Sequence, residues 1–238
     1  MNVKSHSIVA DTAWYHARSR RLNVPGEPNR MKTLIVNQGE VSRLLPMRDC
    51  MKVMVEALRT LAAGDAVQPL RDMMWLPDRR GLIGMMPGYL GEPEALGIKI
   101  VTVYPGNHGS AYDSHQGVVL LFGSEHGNLL AVIDASSITA IRTAAVSGVA
   151  TQLLANEEAG DLAILGSGVQ ARTHLDAMRV ARAIRRVRVY SPNSDHLRTF
   201  VEREAERQGM EIEAAASARE AVTGPISFVP RHRPVSRS

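Results

Sequence analysis

A glycine-rich segment in the second half of the chain has the residue types and spacing needed to hold a phosphate group. The apolar run Asp161–Leu165 is followed by Gly-Ser-Gly-Val-Gln-Ala at residues 166–171. Gly166 and Gly168 have no Cβ atom to keep the backbone away from a pyrophosphate, and Ala171 stands where a third small residue lets helix and strand pack closely. This pattern is typical of a dinucleotide-binding turn.

A helix is predicted to begin at about Val169, directly after the two glycines. Its free N–H groups, including that of Gln170, and the positive end of its dipole would face the phosphates. A second strand is predicted at residues 187–190, so the β-α-β context that the motif requires is present. A tight strand–helix turn without a ligand is the alternative that the motif leaves open.

Three basic residues in the first part of the chain stand in apolar surroundings, namely Arg71, Lys99 and Arg142. A cation removed from water requires an anion. Two guanidinium groups with planar pairs of donors and one compact ammonium group would together suit a substrate carboxylate. For any one of them taken alone, a snorkelling side chain or an internal ion pair is the commoner role.

The histidines and the single cysteine do not indicate a metal site. His108, His115 and His126 are predicted in loops without the spacing of zinc ligands, and His174 lies on a helix face; all four are interpreted as surface or structural residues. Cys50 excludes a disulfide framework within the chain and favours a reducing compartment, the cytoplasm.

The composition predicts a soluble protein with an aliphatic core. Of the 238 residues, 45% are hydrophobic and 4% aromatic. Lys and Arg number 28 against 24 Asp and Glu, an excess too mild and scattered to indicate a nucleic-acid partner. No apolar run approaches the roughly 20 residues that cross a bilayer, so no membrane partner is expected.

The periodicity predicts an α/β protein with two domains. A β-rich substrate-binding and dimerisation domain with a linking helix is expected over residues 31–155, and a Rossmann-type domain over residues 156–224. Residues 1–30 are predicted to be disordered, and residues 225–238 to form a basic tail. Within the first domain, apolar spacing predicts one long amphipathic helix over residues 41–63 and a hairpin of residues 118–122 and 129–133.

Four segments, in their order and spacing, resemble the ornithine cyclodeaminase/μ-crystallin family: residues 97–107, 114–122, 131–145 and 166–171. The resemblance runs from about Met31 to Gly224. It implies a homodimer in which the β-rich domain holds a small amino or imino acid and the Rossmann domain holds NAD(H) or NADP(H). It also implies that Arg71, Lys99 and Arg142 bind the substrate carboxylate.

The family resemblance further implies hydride transfer at the α-carbon of the substrate. In the cyclodeaminase form, NAD⁺ takes the hydride, the side-chain amine attacks the resulting imine, ammonia leaves, and the hydride returns. Relatives act as alanine dehydrogenases or ketimine reductases. Two other possibilities stay open for this chain: a non-catalytic protein that binds nucleotides or small molecules, and a fragment without function.

Two positions depart from the family pattern. Gly84 lies near the place where ornithine-cyclising members carry an acidic residue that pairs with the substrate amine. Because glycine cannot form this pair, a dehydrogenase or imine reductase is at least as well supported as an ornithine-cyclising enzyme. Ser191 ends the second Rossmann strand in place of the acid expected to hold the ribose hydroxyl. The serine weakly favours NADP(H) over NAD(H). Ser191, Asn193 and Arg198 would then be neighbours of the 2′-phosphate of NADP(H).

The sequence after Gly224 also departs from the family, which would continue with Gly-Ala-Asp-Ile-Val, a Thr-Ser loop and later an aspartate that acts as general acid and base. No residue of this chain is assigned to that catalytic role. Read one nucleotide earlier, with a G borrowed from the Gly224 codon, the allowed codons for residues 225–238 can spell Gly-Ala-Asp-Ile-Val-Arg-Ala-Ala-Thr-Ser-Ala-Arg-Glu-Pro-Val. We therefore expect a frameshift near Gly224, a sheet of about three strands, and a chain that is marginally stable and poorly active.

Overall fold

The computed structural model describes residues 33–107, 110–224 and 227–229. These residues form two compact units, the first made of residues 33–44 and 57–138 and the second of residues 45–56 and 139 onward. The predictions for residues 1–30, for His108 and for most of the basic tail lie outside the described residues. No helix in the described ranges is both long and apolar enough to cross a membrane.

The first unit is built on a mixed sheet of seven strands: β1 (Leu34–Val36), β2 (Ala66–Val67), β3 (Asp72–Trp75), β4 (Leu82–Leu90), β5 (Ala95–Val103), β6 (His115–Phe122) and β7 (Leu129–Asp134). The strand order is β1-β7-β6-β5-β4-β2, and β3 also pairs with β4. Only β1 and β7 run parallel; the other pairs are antiparallel. The hairpin predicted from residues 118–122 and 129–133 is confirmed as the β6–β7 pair.

The two faces of this sheet differ in burial. Successive side chains of a strand point to opposite faces, and in β1 Leu34 and Val36 are buried while Ile35 is 59% exposed. The register extends the face of Ile35 across the sheet to a set of half-buried or exposed apolar residues, here called the open face: Ile35, Met74, Ile83, Ile98, Ile100, Leu120 and Val132. In β1, β4 and β7 the opposite face carries buried residues, whereas no residue of the open face is buried.

The helix predicted over residues 41–63 is interrupted. The structure has α1 (Gln38–Leu44) and α2 (Met47–Ala62) instead. Pro46 lies between them, and a proline disfavours the helical conformation of the residue that precedes it. The single long helix was therefore a wrong prediction, although both segments are helical.

Helices α2 and α3 (Ala135–Leu154) contribute residues to both units. Their apolar side chains form one cluster of the second unit together with a residue of the following helix: Cys50, Met51, Ala145, Val149 and Ala181 are all buried. This packing places residues 45–56 and 139–155 with the second unit, whereas the sequence placed residues 31–155 in one domain. The boundary differs because the helices bury their apolar residues there.

The remaining elements of the second unit alternate strand and helix: β8 (Asp161–Leu165), α4 (Val169–Ala181), β9 (Arg186–Tyr190), α5 (Ser194–Gln208), β10 (Glu213–Ala214), α6 (Ala218–Val222) and β11 (Ser227–Val229). All four strands are parallel, in the order β10-β9-β8-β11. This is the order 3-2-1-4 with which a dinucleotide-binding sheet begins. The α/β class and the Rossmann-type unit predicted from the sequence are confirmed.

The number of strands in this sheet differs from the expected three. Residues 227–229 form β11, which pairs in parallel with residues 162–164 of β8. Without it, β8 would offer a row of unpaired N–H and C=O groups along that edge. The sequence Ser-Phe-Val has the β-branched and aromatic residues that strands favour, a signal that the comparison with the family pattern overlooked.

Candidate functional site

The glycine-rich turn is a tight connection from β8 to α4. Gly166 has a φ of +120°, in the region that favours glycine, and its N–H donates to the Tyr190 carbonyl at 2.7 Å. Gly168 is the N-cap of α4 in an extended conformation, and no side chain caps the helix. A Cβ atom added to Gly168 would meet nothing within 4 Å. The turn is thus tied to β9 on one side and open to an approaching ligand on the other.

The first turn of α4 offers backbone donors to that open space. The first helical bond after the turn runs from the Arg172 N–H to the Gly168 carbonyl, at 3.3 Å. The N–H groups of Gly168, Val169, Gln170 and Ala171 precede it and have no acceptor within the helix. Together with the helix dipole, such groups form an anion site. The predicted arrangement of strand, glycine turn and helix is confirmed as a fold.

Ser191, at the end of β9, reaches the turn. Its hydroxyl oxygen accepts a hydrogen bond from the Ser167 hydroxyl at 3.0 Å, and Ser191 is 9% exposed. The other two residues assigned to a cofactor phosphate have partners near the start of α5. Asn193 caps that helix by accepting from the His196 N–H, and Arg198 pairs with Asp195 at 2.8 Å.

Sequence reasoning missed a buried contact behind the turn. His174 of α4 is 8% exposed; its Nδ1 lies 2.7 Å from the Gln170 carbonyl oxygen and its Nε2 lies 3.0 Å from the Ser147 hydroxyl oxygen on α3. Burial lowers the pKa of His174, partly offset by the bond to Gln170. His174 lies in a stripe of buried residues at positions 171, 174, 175 and 178, a spacing that the sequence displays.

The three basic residues assigned to a substrate carboxylate are not buried as expected. Arg71 is exposed in the connection before β3, Arg142 is exposed on α3, and Lys99 is half-buried on β5. Arg142 is exposed although Ala144 and Ala145, close to it on the same helix, are buried. The expectation of buried cations was therefore wrong. Arg71 and Lys99 belong to the first unit and Arg142 to the second.

Arg142 acts electrostatically on Cys50, its neighbour in the second unit. Burial raises the pKa of the Cys50 thiol to about 11, and the positive charge of Arg142 opposes that rise. Cys50 is therefore a protonated, weakly reactive thiol at neutral pH.

Lys99 lies on a sheet face that also carries apolar side chains. Lys99 pairs with Met86 of β4, on the sheet face opposite to the open face. On the same face, a Cβ atom at Gly84 would lie 2.9 Å from Met73 Sδ, 3.5 Å from Met86 Cε and 3.6 Å from Val101 Cγ2. The position where cyclising family members are expected to carry an acid is therefore enclosed by apolar side chains.

Comparison with protein families gives one match over most of the chain. The model of the ornithine cyclodeaminase/mu-crystallin family matches residues 31–226, close to the extent of 31–224 predicted from the sequence. The ketimine reductase mu-crystallin of Mus musculus is 40% identical over 161 residues, which are 68% of this chain and 50% of that protein. A Delta(1)-pyrroline-2-carboxylate reductase of Bacillus cereus is 31% identical over 190 residues, 80% of this chain and 58% of that protein. The chain spans about half the length of the curated relatives it matches.

Solved structures with the same fold contain nicotinamide cofactors. The Thermococcus litoralis Delta(1)-pyrroline-2-carboxylate reductase in complex with NADH and L-proline is 34% identical, with a TM-score of 0.78 over 82% of this chain and 61% of that chain. An archaeal alanine dehydrogenase dimer with bound NAD is 31% identical, with a TM-score of 0.74 over 80% of this chain and 58% of that chain. These relatives support a nicotinamide cofactor for the family fold.

Proposed function

Because the chain belongs to the ornithine cyclodeaminase/mu-crystallin family, we propose that it acts as an NAD(P)-dependent enzyme that transfers hydride at the α-carbon of a small amino or imino acid. The observation that carries this proposal is the uncapped glycine turn between β8 and α4, which opens toward a ligand. The nicotinamide supplies or accepts the hydride when bound, and the protein supplies orientation and charge.

The residues of the turn would hold the cofactor through its pyrophosphate. The N–H groups of Val169, Gln170 and Ala171 would donate to phosphate oxygens, and Gly166 and Gly168 allow the close approach. The fit is chemical as well as geometric, since a helix N-terminus without a side-chain cap is complementary to a negative charge.

The substrate carboxylate would be bound by Arg71, Lys99 and Arg142, as the family resemblance implies. A guanidinium group can donate two parallel bonds to one carboxylate, and an ammonium group adds a point charge. Arg71 and Arg142 are exposed to solvent, where a substrate can reach them. In this role, these residues orient the α-carbon and do not transfer the hydride.

The apolar surroundings of Gly84 favour a substrate without a terminal amine. A diamino acid that is to be cyclised has a second ammonium group, which an apolar wall of Met73, Met86 and Val101 would leave unpaired. A cyclic imino acid or a small apolar amino acid has no such group. We therefore propose imine reduction or amino-acid dehydrogenation in preference to cyclisation.

The end of β9 favours NADP(H). A carboxylate at this place accepts bonds from ribose hydroxyls and repels a 2′-phosphate, whereas the Ser191 hydroxyl can donate to it. Because Ser191 accepts from Ser167, its own proton is available for such a bond. Arg198, which is paired with Asp195, would be the candidate cation for this phosphate. Replacing Arg198 with Ala should then weaken the binding of NADPH and leave the affinity for NADH unchanged.

The open face of the first unit favours a second copy of this chain as partner. Soluble proteins rarely leave a continuous apolar face of this kind uncovered, and Ile35 and Met74 are 59% and 58% exposed. A homodimer would cover it. Sedimentation of the wild type should give a dimer, and Leu120→Lys, at the centre of the face, should give a monomer. A monomeric wild type would contradict the homodimer.

A thermal-shift titration with NADH and NADPH tests the central proposal. A cofactor at a hundred times its dissociation constant adds about 2.7 kcal/mol to the free energy of unfolding, so the midpoint should rise and saturate. A chain that unfolds cooperatively but responds to neither cofactor would refute the proposal.

Turnover is then measured with cyclic imino acids. Binding without turnover would indicate the non-catalytic binding protein, and rapid turnover would contradict the impairment predicted from residues 225–238.

A further inference from the structure

His174 lies directly behind the glycine turn and joins two helices of the second unit. It is buried, its Nδ1 is 2.7 Å from the Gln170 carbonyl oxygen, and its Nε2 is 3.0 Å from the Ser147 hydroxyl oxygen. Both distances are those of normal hydrogen bonds. The imidazole thus connects α3 to the first turn of α4, where the cofactor is expected.

The chemistry of the partners fixes the proton positions. A carbonyl oxygen can only accept, so Nδ1 carries the proton that is donated to Gln170. Burial lowers the pKa of His174 and favours the neutral ring, in which Nε2 has no proton and accepts from the Ser147 hydroxyl. The alternative acceptor for that hydroxyl, the Thr143 carbonyl, is more distant at 3.4 Å. The tautomer that the Gln170 carbonyl requires therefore also suits Ser147, whose hydroxyl can donate to the unprotonated Nε2.

The bond to Gln170 acts on a peptide group whose other end faces the ligand. The Gln170 carbonyl and the Ala171 N–H belong to one planar peptide unit, so fixing the direction of the C=O fixes the direction of the N–H. Accepting a hydrogen bond at the carbonyl also polarises the N–H. The Ala171 N–H is one of the donors of the first turn of α4, which have no acceptor within the helix.

We propose that His174 is a positioning residue whose hydrogen bond to the Gln170 carbonyl orients the peptide unit between Gln170 and Ala171 so that the Ala171 N–H donates to the cofactor pyrophosphate. This inference rests on the proposed function of the turn. The neighbouring positions of the same buried stripe are filled by Leu175 and Met178, so packing alone would be satisfied by an apolar side chain. The imidazole at position 174 adds two hydrogen bonds that an apolar side chain could not make.

Three variants separate the two bonds. His174→Asn keeps an N–H donor at the distance of Nδ1 and loses the reach to Ser147. His174→Gln places its amide at the distance of Nε2, and His174→Leu removes both bonds. Thr151→Val is the matched control, because Thr151 of α3 also contacts α4, at Met178 Sδ, 3.3 Å away, but further from the turn.

Two readouts are used: the amide resonance of Ala171 in the cofactor-free chain, and the dissociation constant of NADH and of NADPH. We expect the Gln and Leu variants to shift the resonance and to weaken cofactor binding about tenfold, a loss of about 1.4 kcal/mol. The Asn variant should stay near the wild type in both readouts even where its thermal midpoint falls, and the Thr151 variant should change neither.

An unchanged Ala171 resonance in His174→Leu would overturn the inference, as would cofactor affinities that follow the thermal midpoints across all three variants. A wild-type chain that binds neither cofactor would overturn the proposed function and this inference together. If the wild type binds and all His174 variants bind equally well, only the inference is lost.

Discussion

The two units differ in how their proposed binding groups are positioned. In the second unit, the donors are backbone N–H groups within six consecutive residues, 166–171, and their directions are set by a strand, a turn and a helix. In the first unit, Arg71 and Lys99 are side chains on separate strands or loops, and Arg71 is exposed. Backbone donors are placed by the fold itself, whereas long side chains reach their geometry only when a ligand orders them.

The largest effect is expected at Gly168, where the turn would meet the proposed cofactor. Gly168→Asp places a carboxylate in the open space in front of α4, so cofactor affinity should fall more than a hundredfold through charge repulsion. The fold should be retained, because a Cβ atom there meets nothing within 4 Å. The measurement is a fluorescence titration with NADH and NADPH beside a thermal midpoint.

Gly166→Ala is the comparison for that experiment. Gly166 has a φ of +120°, so a side chain is strained at this position regardless of the space around it. This variant should lose stability together with affinity. If Gly168→Asp keeps its midpoint and binds cofactor normally, the turn does not hold the phosphates.

The next effect concerns what holds the second sheet together. Arg188 of β9 is buried, donates to the Glu220 and Thr223 carbonyls at 3.2 and 2.6 Å, and lies 4.0 Å from the Asp161 carboxylate. Arg188→Leu would leave these acceptors unpaired and should lower the free energy of unfolding by about 2–4 kcal/mol. Because Thr223 precedes β11, hydrogen exchange should rise first at that strand.

Arg186→Leu is the matched control, two residues away on the same strand. Its bonds to Glu213 are short, at 2.6 and 2.7 Å, but the pair is exposed to water. Exposed ion pairs contribute little, so this variant should be much less destabilised than Arg188→Leu in a urea titration. Equal losses would mean that bond length, and not burial, decides the contribution.

A smaller effect is expected in the first unit. Lys99→Met should lower kcat/KM for a cyclic imino acid about tenfold, since one of the proposed carboxylate-binding cations is lost. The affinity for cofactor should not change, because that site belongs to the second unit. Lys52→Met, which removes an exposed lysine of α2 paired with Asp49, should leave both quantities unchanged. A loss of cofactor affinity in the Lys99 variant would break the division of roles.

The contrast between the units also explains what the sequence could predict. The strand at 161–165 and the start of the helix at Val169 were predicted as the structure has them, because the signal lies in adjacent residues. The exposure of Arg142 was not predicted, because it depends on which side of α3 packs against the rest of the protein. The contact of His174 with Ser147 joins residues 27 positions apart, and no local pattern encodes such a pairing.

Local signals were also overlooked. Pro46 breaks the predicted helix by a rule that depends on one residue, and the helix period of the surrounding apolar residues concealed it. β11 was missed because residues 227–229 form too short a strand to show a period, and its pairing with β8 depends on an edge that only the folded sheet provides.

The smallest expected effect is a pH dependence confined to the second unit. Burial lowers the pKa of His174 below its ordinary value of about 6.5, so the unfolded chain binds a proton more readily than the folded chain. Stability should therefore be complete above pH 6.5 and fall as the pH decreases toward the folded pKa, by at most about 1.4 kcal/mol per pH unit. His174→Asn should remove this slope.

A second group titrates in a lower pH range. The pKa of Glu213 is lowered mainly by its hydrogen bond to Arg186, so its contribution to the free energy of unfolding is lost only below about pH 4.5, and the pH ranges of Glu213 and His174 are separate. Urea titrations of both proteins between pH 5 and 8 would measure the difference, and the same slope in both would mean that His174 is not the group responsible.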